Sequence, residues 1–213
     1  MFRVLIACAK GGVGKTTIST TLAGAWALEG RAVALADADP QGSARIWCER
    51  RAGFPGEVAA LDGTRRDWAR RLPEGVDRVV IDAPAGAMAR DLSRFLDEVD
   101  ALVVPVLPSV LDMEATVRFL NPLAEHPRVA SGELPVGLVA NRLRPWTQAS
   151  QQALSQLGAW PCELVAQLRE TQAYALLAGL GRCLFDYQSQ NVREHQQDWV
   201  PLLRWLERAR RRR

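Results

Sequence analysis

The chain has 213 residues, 48% of them hydrophobic and 24% charged, which is the profile of a folded globular protein and excludes long disorder or a fibre. That length suits one domain with a self-sufficient core, and no apolar run reaches the ~18–20 residues that span a bilayer. Net charge is +3, and Cys8, Cys48, Cys162 and Cys183 are too scattered for a zinc or disulfide framework, so they read as reduced thiols.

In chain order, residues 2–8 are an apolar run ending at Gly11-Gly12, which reads as a first strand and not as a signal peptide. A helix is expected over 16–29, stopped by Gly30, then a buried strand over 32–36 ending at Asp37. Helix 43–51, a short strand 57–61 and a short helix 64–72 follow. Residues 77–82 form a strand bounded by Pro84 and Gly86, and 88–98 a helix. Strand 101–106 carries Pro105, expected near its end, where a missing N–H matters least. Helix 112–124, strand 135–140 leading to Asn141, helix 148–157 and a short strand 162–166 come next. Two further helices are expected over 170–179 and 190–211. Continuous apolar strands alternating with helices predict one α/β domain over 1–213, a mostly parallel sheet with helices on both faces. Ligands of such sheets bind at the carboxyl ends of the strands. Lys10–Thr17, Asp37–Gln41, Asp82–Gly86 and Asn141 all fall at that edge.

Charge is unevenly distributed. From Arg204 to Arg213 there are six arginines and one glutamate, so a basic helix and tail over about 190–213 ends a body that is neutral to acidic. Of the 27 basic residues only Lys10 and Lys15 are lysines, and both lie in one glycine-rich segment. Lysine is a compact point charge where arginine is a planar fork. Keeping lysine at these two sites alone marks them as needing an ammonium.

That segment reads AKGGVGKTT. Gly14-Lys15-Thr16 complete the phosphate-loop pattern G-x-x-x-x-G-K-[ST], although Ala9 stands where its first glycine belongs. Gly11, Gly12 and Gly14 let backbone N–H groups turn inward as an anion nest, and the helix that follows adds its positive end. Lys15 reaches the β- and γ-phosphates, and the Thr16 hydroxyl suits Mg²⁺.

KGGVGKTT resembles the deviant Walker A motif of the ParA/MinD family of ATPases, whose second, signature lysine is here Lys10. Asp37-Ala38-Asp39-Pro40-Gln41-Gly42 resembles that family's first switch, and Val79-Val80-Ile81-Asp82-Ala83-Pro84 its Walker B strand and second switch. The resemblance covers roughly residues 2–187. It implies a P-loop ATPase with ATP and Mg²⁺ as cofactors and an ATP-sandwiched homodimer. Nucleotide would be held by Lys10, Gly11, Gly12, Val13, Gly14, Lys15, Thr16, Thr17 and Asp37, with Asn141 reading adenine. Thr16, Asp39 and Asp82 would serve the metal, Asp39 also orienting the attacking water. Lys10 would reach the partner's nucleotide in trans, as an arginine finger does. Residues 168–187 resemble the segment of small ParA proteins that closes over the base.

Within the family, an Fe–S reductase needs cysteines after the later strands, and residues 83–161 have none. Two tyrosines and an arginine tail do not suit a tyrosine kinase of this class. Trp199, Leu202, Leu203 and Leu206 make an apolar stripe on the last helix, expected to pack on the body. The alternative is a MinD-like membrane-surface helix; a metabolic ATPase is a third possibility. The reading adopted is a small ParA-type partitioning or positioning ATPase, cytoplasmic and nucleoid-associated. Its dimer would bind DNA without sequence preference through Arg204, Arg208, Arg210, Arg211, Arg212 and Arg213. A ParB-like or other adaptor would stimulate hydrolysis and release a plasmid, chromosome or protein cargo.

Overall fold

The computed structural model describes residues 1–212. Seven strands form one all-parallel sheet: β1 (Phe2–Ile6), β2 (Val33–Asp37), β3 (Val58–Asp62), β4 (Arg78–Asp82), β5 (Ala101–Val106), β6 (Val136–Leu143) and β7 (Glu163–Arg169). Their order is β3-β2-β4-β1-β5-β6-β7. The helices are α1 (Lys15–Leu28), α2 (Ser43–Arg51), α3 (Ser93–Leu96), α4 (Val110–Ala124), α5 (Pro127–Ala130), α6 (Gln148–Leu157), α7 (Ala173–Gly179), α8 (Gln190–Gln197) and α9 (Val200–Arg211). Among the described residues no helix is long and apolar enough to cross a membrane.

Strand alternation divides the core into two layers. Phe2, Val4 and Ile6 of β1 face one side with Ile18, Leu22, Trp47 and Leu202. Leu5 faces the other with Trp68, Phe95, Phe119 and Ala153. Both faces are buried, so the strands read as continuous apolar runs. Pro105 is the fifth of six residues in β5 and lies past Val103, where the β1 ladder ends.

Three expected helices differ. The one over 64–72 is a single 3-10 turn, Trp68–Arg71, and the one over 88–98 is a 3-10 turn, Ala89–Leu92, followed by α3. The one over 190–211 breaks into α8 and α9. Pro201 cannot donate a backbone hydrogen bond and its ring would strike the carbonyl four residues back. The expected apolar stripe does pack on the body through Trp199, Leu202 and Leu206, joined by Trp205 and Ala209, while Leu203 is only half-buried. Gly137 of β6 permits this close approach, since a Cβ there would sit 3.0 Å from the Trp205 ring.

One buried ion pair ties α2 to the segment before α8. Arg51 is fully buried, its Nη1 2.9 Å from Asp186 Oδ2. Its remaining donors reach the carbonyls of Pro55, Gly56 and Gly181. Removing Arg51 leaves buried Asp186 with only the longer contact to Arg182, at 3.4 Å, as a countercharge among the described residues. Arg51→Ala is therefore expected to cost about 3–5 kcal/mol, read as a lower urea midpoint. An unchanged midpoint would mean the pair contributes nothing.

Candidate functional site

The turn from β1 into α1 needs glycine. Gly12 and Gly14 have φ of 75° and 95°, and a Cβ on Gly14 would lie 2.5 Å from Asn141 Nδ2. Gly14 caps α1 without a side-chain hydrogen bond, so the first-turn N–H groups keep their capacity for an anion. Lys15, the first residue of α1, is only 6% exposed. Its Nζ donates to the Lys10 carbonyl at 3.2 Å, and among the described residues it has no carboxylate partner. A buried ammonium with spare donors favours an anion.

Asp82 closes β4 beside Ile6 of β1 and Asp37 of β2. Its carboxylate accepts from Thr16 Oγ1 at 2.7 Å and Ser19 Oγ at 2.9 Å. Burial pushes it up to about 7, against the hydroxyls of Thr16 and Ser19, and nearby Asp37 pushes the same way. No Lys or Arg among the described residues is ion-paired with it. A buried carboxylate beside a threonine hydroxyl, with the Lys15 charge nearby but not ion-paired to it, fits Mg²⁺ held largely through water.

The first switch is built on aspartates. Buried Asp37 accepts from the N–H groups of Asp39 and Arg45, both at 3.0 Å, so it caps α2 as well as bracing the turn. Asp39 accepts from Gln41 N at 2.9 Å and from Ala85 N at 2.8 Å, joining the first switch to the segment after β4.

Lys10 projects from the loop with its side chain 45% exposed, and its Nζ lies 2.7 Å from Asp112 Oδ1. Asp112 is oriented by Ser109, with which it exchanges contacts at the start of α4. Sequence reasoning did not select Asp112; its signal was the pattern Ser109-x-x-Asp112, a helix-start box. Val110 and Leu111 beside it are each 71% exposed.

Asn141 lies inside β6 and not after it. The strand runs on to Leu143 through an irregular ladder with β7, and Arg142 there has φ of 53°. Asn141 Nδ2 donates to the Val13 carbonyl at 2.7 Å, fixing the phosphate loop. A cavity of about 420 Å³ opens beside it, lined by Gly14, Thr17, Asn141, Arg142, Arg169 and Tyr174. That is the size of a small-ligand site, and the 169–175 stretch forms one of its walls.

Lys10–Thr17, Asp37, Asp39, Asp82 and Asn141 thus meet at one carboxyl edge of the sheet. The tail arginines do not. Arg208 pairs with Glu163 at the start of β7, and Arg210 and Arg211 pair with Glu207. Chiefly Arg210, by hydrogen bonding, holds the Glu207 carboxyl down at about 2. Arg212 lines a cavity with Asp97, Glu98, Asp100 and Glu133, near the starts of β5 and β6. Arg204 is exposed, and Arg213 lies outside the described residues. Arg212 is thus at the sheet edge opposite the phosphate loop.

A family model described as CobQ/CobB/MinD/ParA nucleotide binding domain matches residues 4–183. Maintenance of carboxysome distribution protein A of Gloeobacter kilaueensis is 31% identical over 200 residues, covering 93% of this chain and 91% of that protein. Its namesake from Halothiobacillus neapolitanus is 34% identical over 164 residues, 74% of this chain and 75% of that one. Among solved structures, a plasmid partition protein from Borrelia burgdorferi bound to AMPPNP has the same fold. The TM-score is 0.73 at 16% identity, over 95% of this chain and 98% of that chain.

Proposed function

This chain belongs to the CobQ/CobB/MinD/ParA nucleotide-binding family, and on that premise we propose that it is a ParA-type positioning ATPase. ATP joins two copies, the dimer holds DNA without sequence preference, and a partner protein on the cargo stimulates hydrolysis. The cargo we assign is a large protein assembly. Two relatives named for maintaining carboxysome distribution support this, one of them similar over nearly the whole chain.

The observation that carries the reading is the pair of lysines. In a chain that otherwise uses arginine, Lys15 is buried against the loop while Lys10 stands outside it. ATP and Mg²⁺ are the cofactors of such a site; Mg²⁺ supplies neutralisation of the phosphoryl charge. Lys15 holds the β- and γ-phosphates. Thr16 and Asp82, already hydrogen-bonded to each other, are the donors for the metal. Asp39, anchored at both oxygens, orients a water. Lys10 has its own chain's Asp112 as resting partner and reaches the second copy's nucleotide once released. Exposed Val110 and Leu111 beside it give that contact an apolar border.

The MinD-like membrane reading needs a free apolar face on α9, and that face is buried. Lys10→Ala tests the proposal. It is expected to bind ATP nearly as the parent does, because its target lies in the other copy, and to lose ATP-dependent dimerisation about tenfold or more, as expected when one partner of a charged interface contact is truncated. Light scattering with ATP measures it, and equal dimerisation in the variant and parent would remove the in-trans role.

A further inference from the structure

We propose that Arg65, Arg66, Arg70, Arg71, Arg90 and Arg94 form a surface that takes the phosphate backbone of duplex DNA. This rests on the reading of the chain as a DNA-binding ATPase and moves the contact away from the C-terminal tail. The six arginines lie in residues 62–71 and 89–94, against three carboxylates, Asp62, Asp67 and Asp91. The two segments are held as one surface. Arg94 donates to the carbonyls of Gly63 at 3.0 Å and Thr64 at 3.3 Å, and Trp68 packs on Phe95 with centroids 6.1 Å apart.

The charge on this surface is in excess. Asp67 takes Arg65 and Arg71, at 3.1 and 2.9 Å, and Asp91 lies 3.8 Å from Arg90, whose side chain is 86% exposed. Arg66 and Arg70 are exposed, and among the described residues neither is ion-paired. Burial, and then the charge of Arg66 beside it, pull Arg94 below its ordinary value. That like-charge crowding is what a bound phosphate relieves. In the tail, by contrast, Glu163 and Glu207 already occupy Arg208, Arg210 and Arg211.

The chemistry favours duplex backbone over other polyanions. Arginine forks suit phosphate oxygens. Of the large hydrophobics that are exposed, only Met88, at 37%, adjoins the patch, and the more exposed Val110, Leu111, Trp146 and Leu176 lie outside both segments, so the patch lacks the broad apolar face that a lipid surface rewards. The first segment carries a four-residue 3-10 turn and the second a 3-10 turn running into the four-residue α3, both too short to read base edges from the major groove. Contact would be with phosphates and indifferent to sequence. The patch also adjoins the nucleotide site: Ala85, held by Asp39, leads within four residues to Ala89, where the Arg90 turn begins.

The test compares the full chain with Arg66→Glu/Arg70→Glu/Arg90→Glu and with Arg204→Glu/Arg212→Glu. Each is titrated with random-sequence duplex in the presence of ATP and across salt concentrations. The triple variant should lose DNA affinity about tenfold or more, and its log–log salt slope should fall by about three, one per phosphate contact. Its ATP-driven dimerisation and melting temperature should match the parent, and the tail variant should keep most of its DNA affinity. Arg66→Ala/Arg70→Ala/Arg90→Ala, which adds no repulsion, should show the same fall in slope. Parent-like DNA binding by both triple variants, or loss confined to the tail variant, would overturn the proposal. So would a parent that binds phosphatidylserine vesicles through this patch and not duplex. A parent that binds no duplex at low salt would instead overturn the DNA-binding reading itself.

Discussion

Lys15→Ala is expected to lower ATP affinity by about thirtyfold or more while leaving the fold intact. Truncating one side of a desolvated charge contact costs about 2–5 kcal/mol, and each 1.4 kcal/mol is tenfold in affinity. Lys15 is buried, and the contact it makes within the chain is a single hydrogen bond to the Lys10 carbonyl, which also receives the Cys8 thiol. Among the described residues its removal breaks no ion pair, although buried Asp82 loses the nearby Lys15 charge. Thermal unfolding without nucleotide should therefore be unchanged or slightly raised, and calorimetric titration with ATP should show the loss. Parent-like affinity would mean that the loop does not hold the β- and γ-phosphates.

Much of this site was legible because its determinants are local. A glycine-rich turn between an apolar strand and a helix places Lys15 and Thr16 by chain geometry alone, and Asp37 and Asp82 end strands whose apolar runs are unmistakable. What stayed hidden depends on residues far apart in sequence. Asn141 contacts Val13 across 128 positions, and only because β6 continues past residue 140 into a bulge. Asp112 looks like a helix cap until Lys10 is brought to it. In the tail, the pairing of Arg210 and Arg211 with Glu207 has ordinary helical spacing, but Glu163, the partner of Arg208, is 45 positions away. A count of arginines therefore overstates the free charge of the tail. The same count understates residues 63–94, where charge spread over two segments becomes one surface only after Arg94 and Trp68 hold them together.

Asp39→Ala is expected to stop turnover while sparing ATP binding. Its oxygens are engaged by Gln41 N and Ala85 N, so it fixes the spacing of the two switches across the mouth of the phosphate site and touches neither the loop nor the adenine-side cavity. A positioned group that orients the nucleophile contributes about 10²–10⁴-fold, and kcat should fall by about that factor. ATP affinity should change by no more than a few-fold, because the lost interaction is made with the attacking water and not with the ground-state nucleotide. Asp39→Asn separates charge from bracing: its amide matches the carboxylate in size but cannot accept from both N–H groups, so it too should be slow. The diagnostic is a variant that accumulates as an ATP-bound dimer by size-exclusion chromatography while phosphate release is nearly absent. If Asp39→Ala instead hydrolyses ATP at the parental rate, the water must be oriented elsewhere, and the link from Asp39 to Ala85 would be structural alone. If it fails to bind ATP, the two switches are needed to form the nucleotide pocket itself. A slow enzyme with a parental ATP affinity is the outcome that assigns Asp39 to the reacting water.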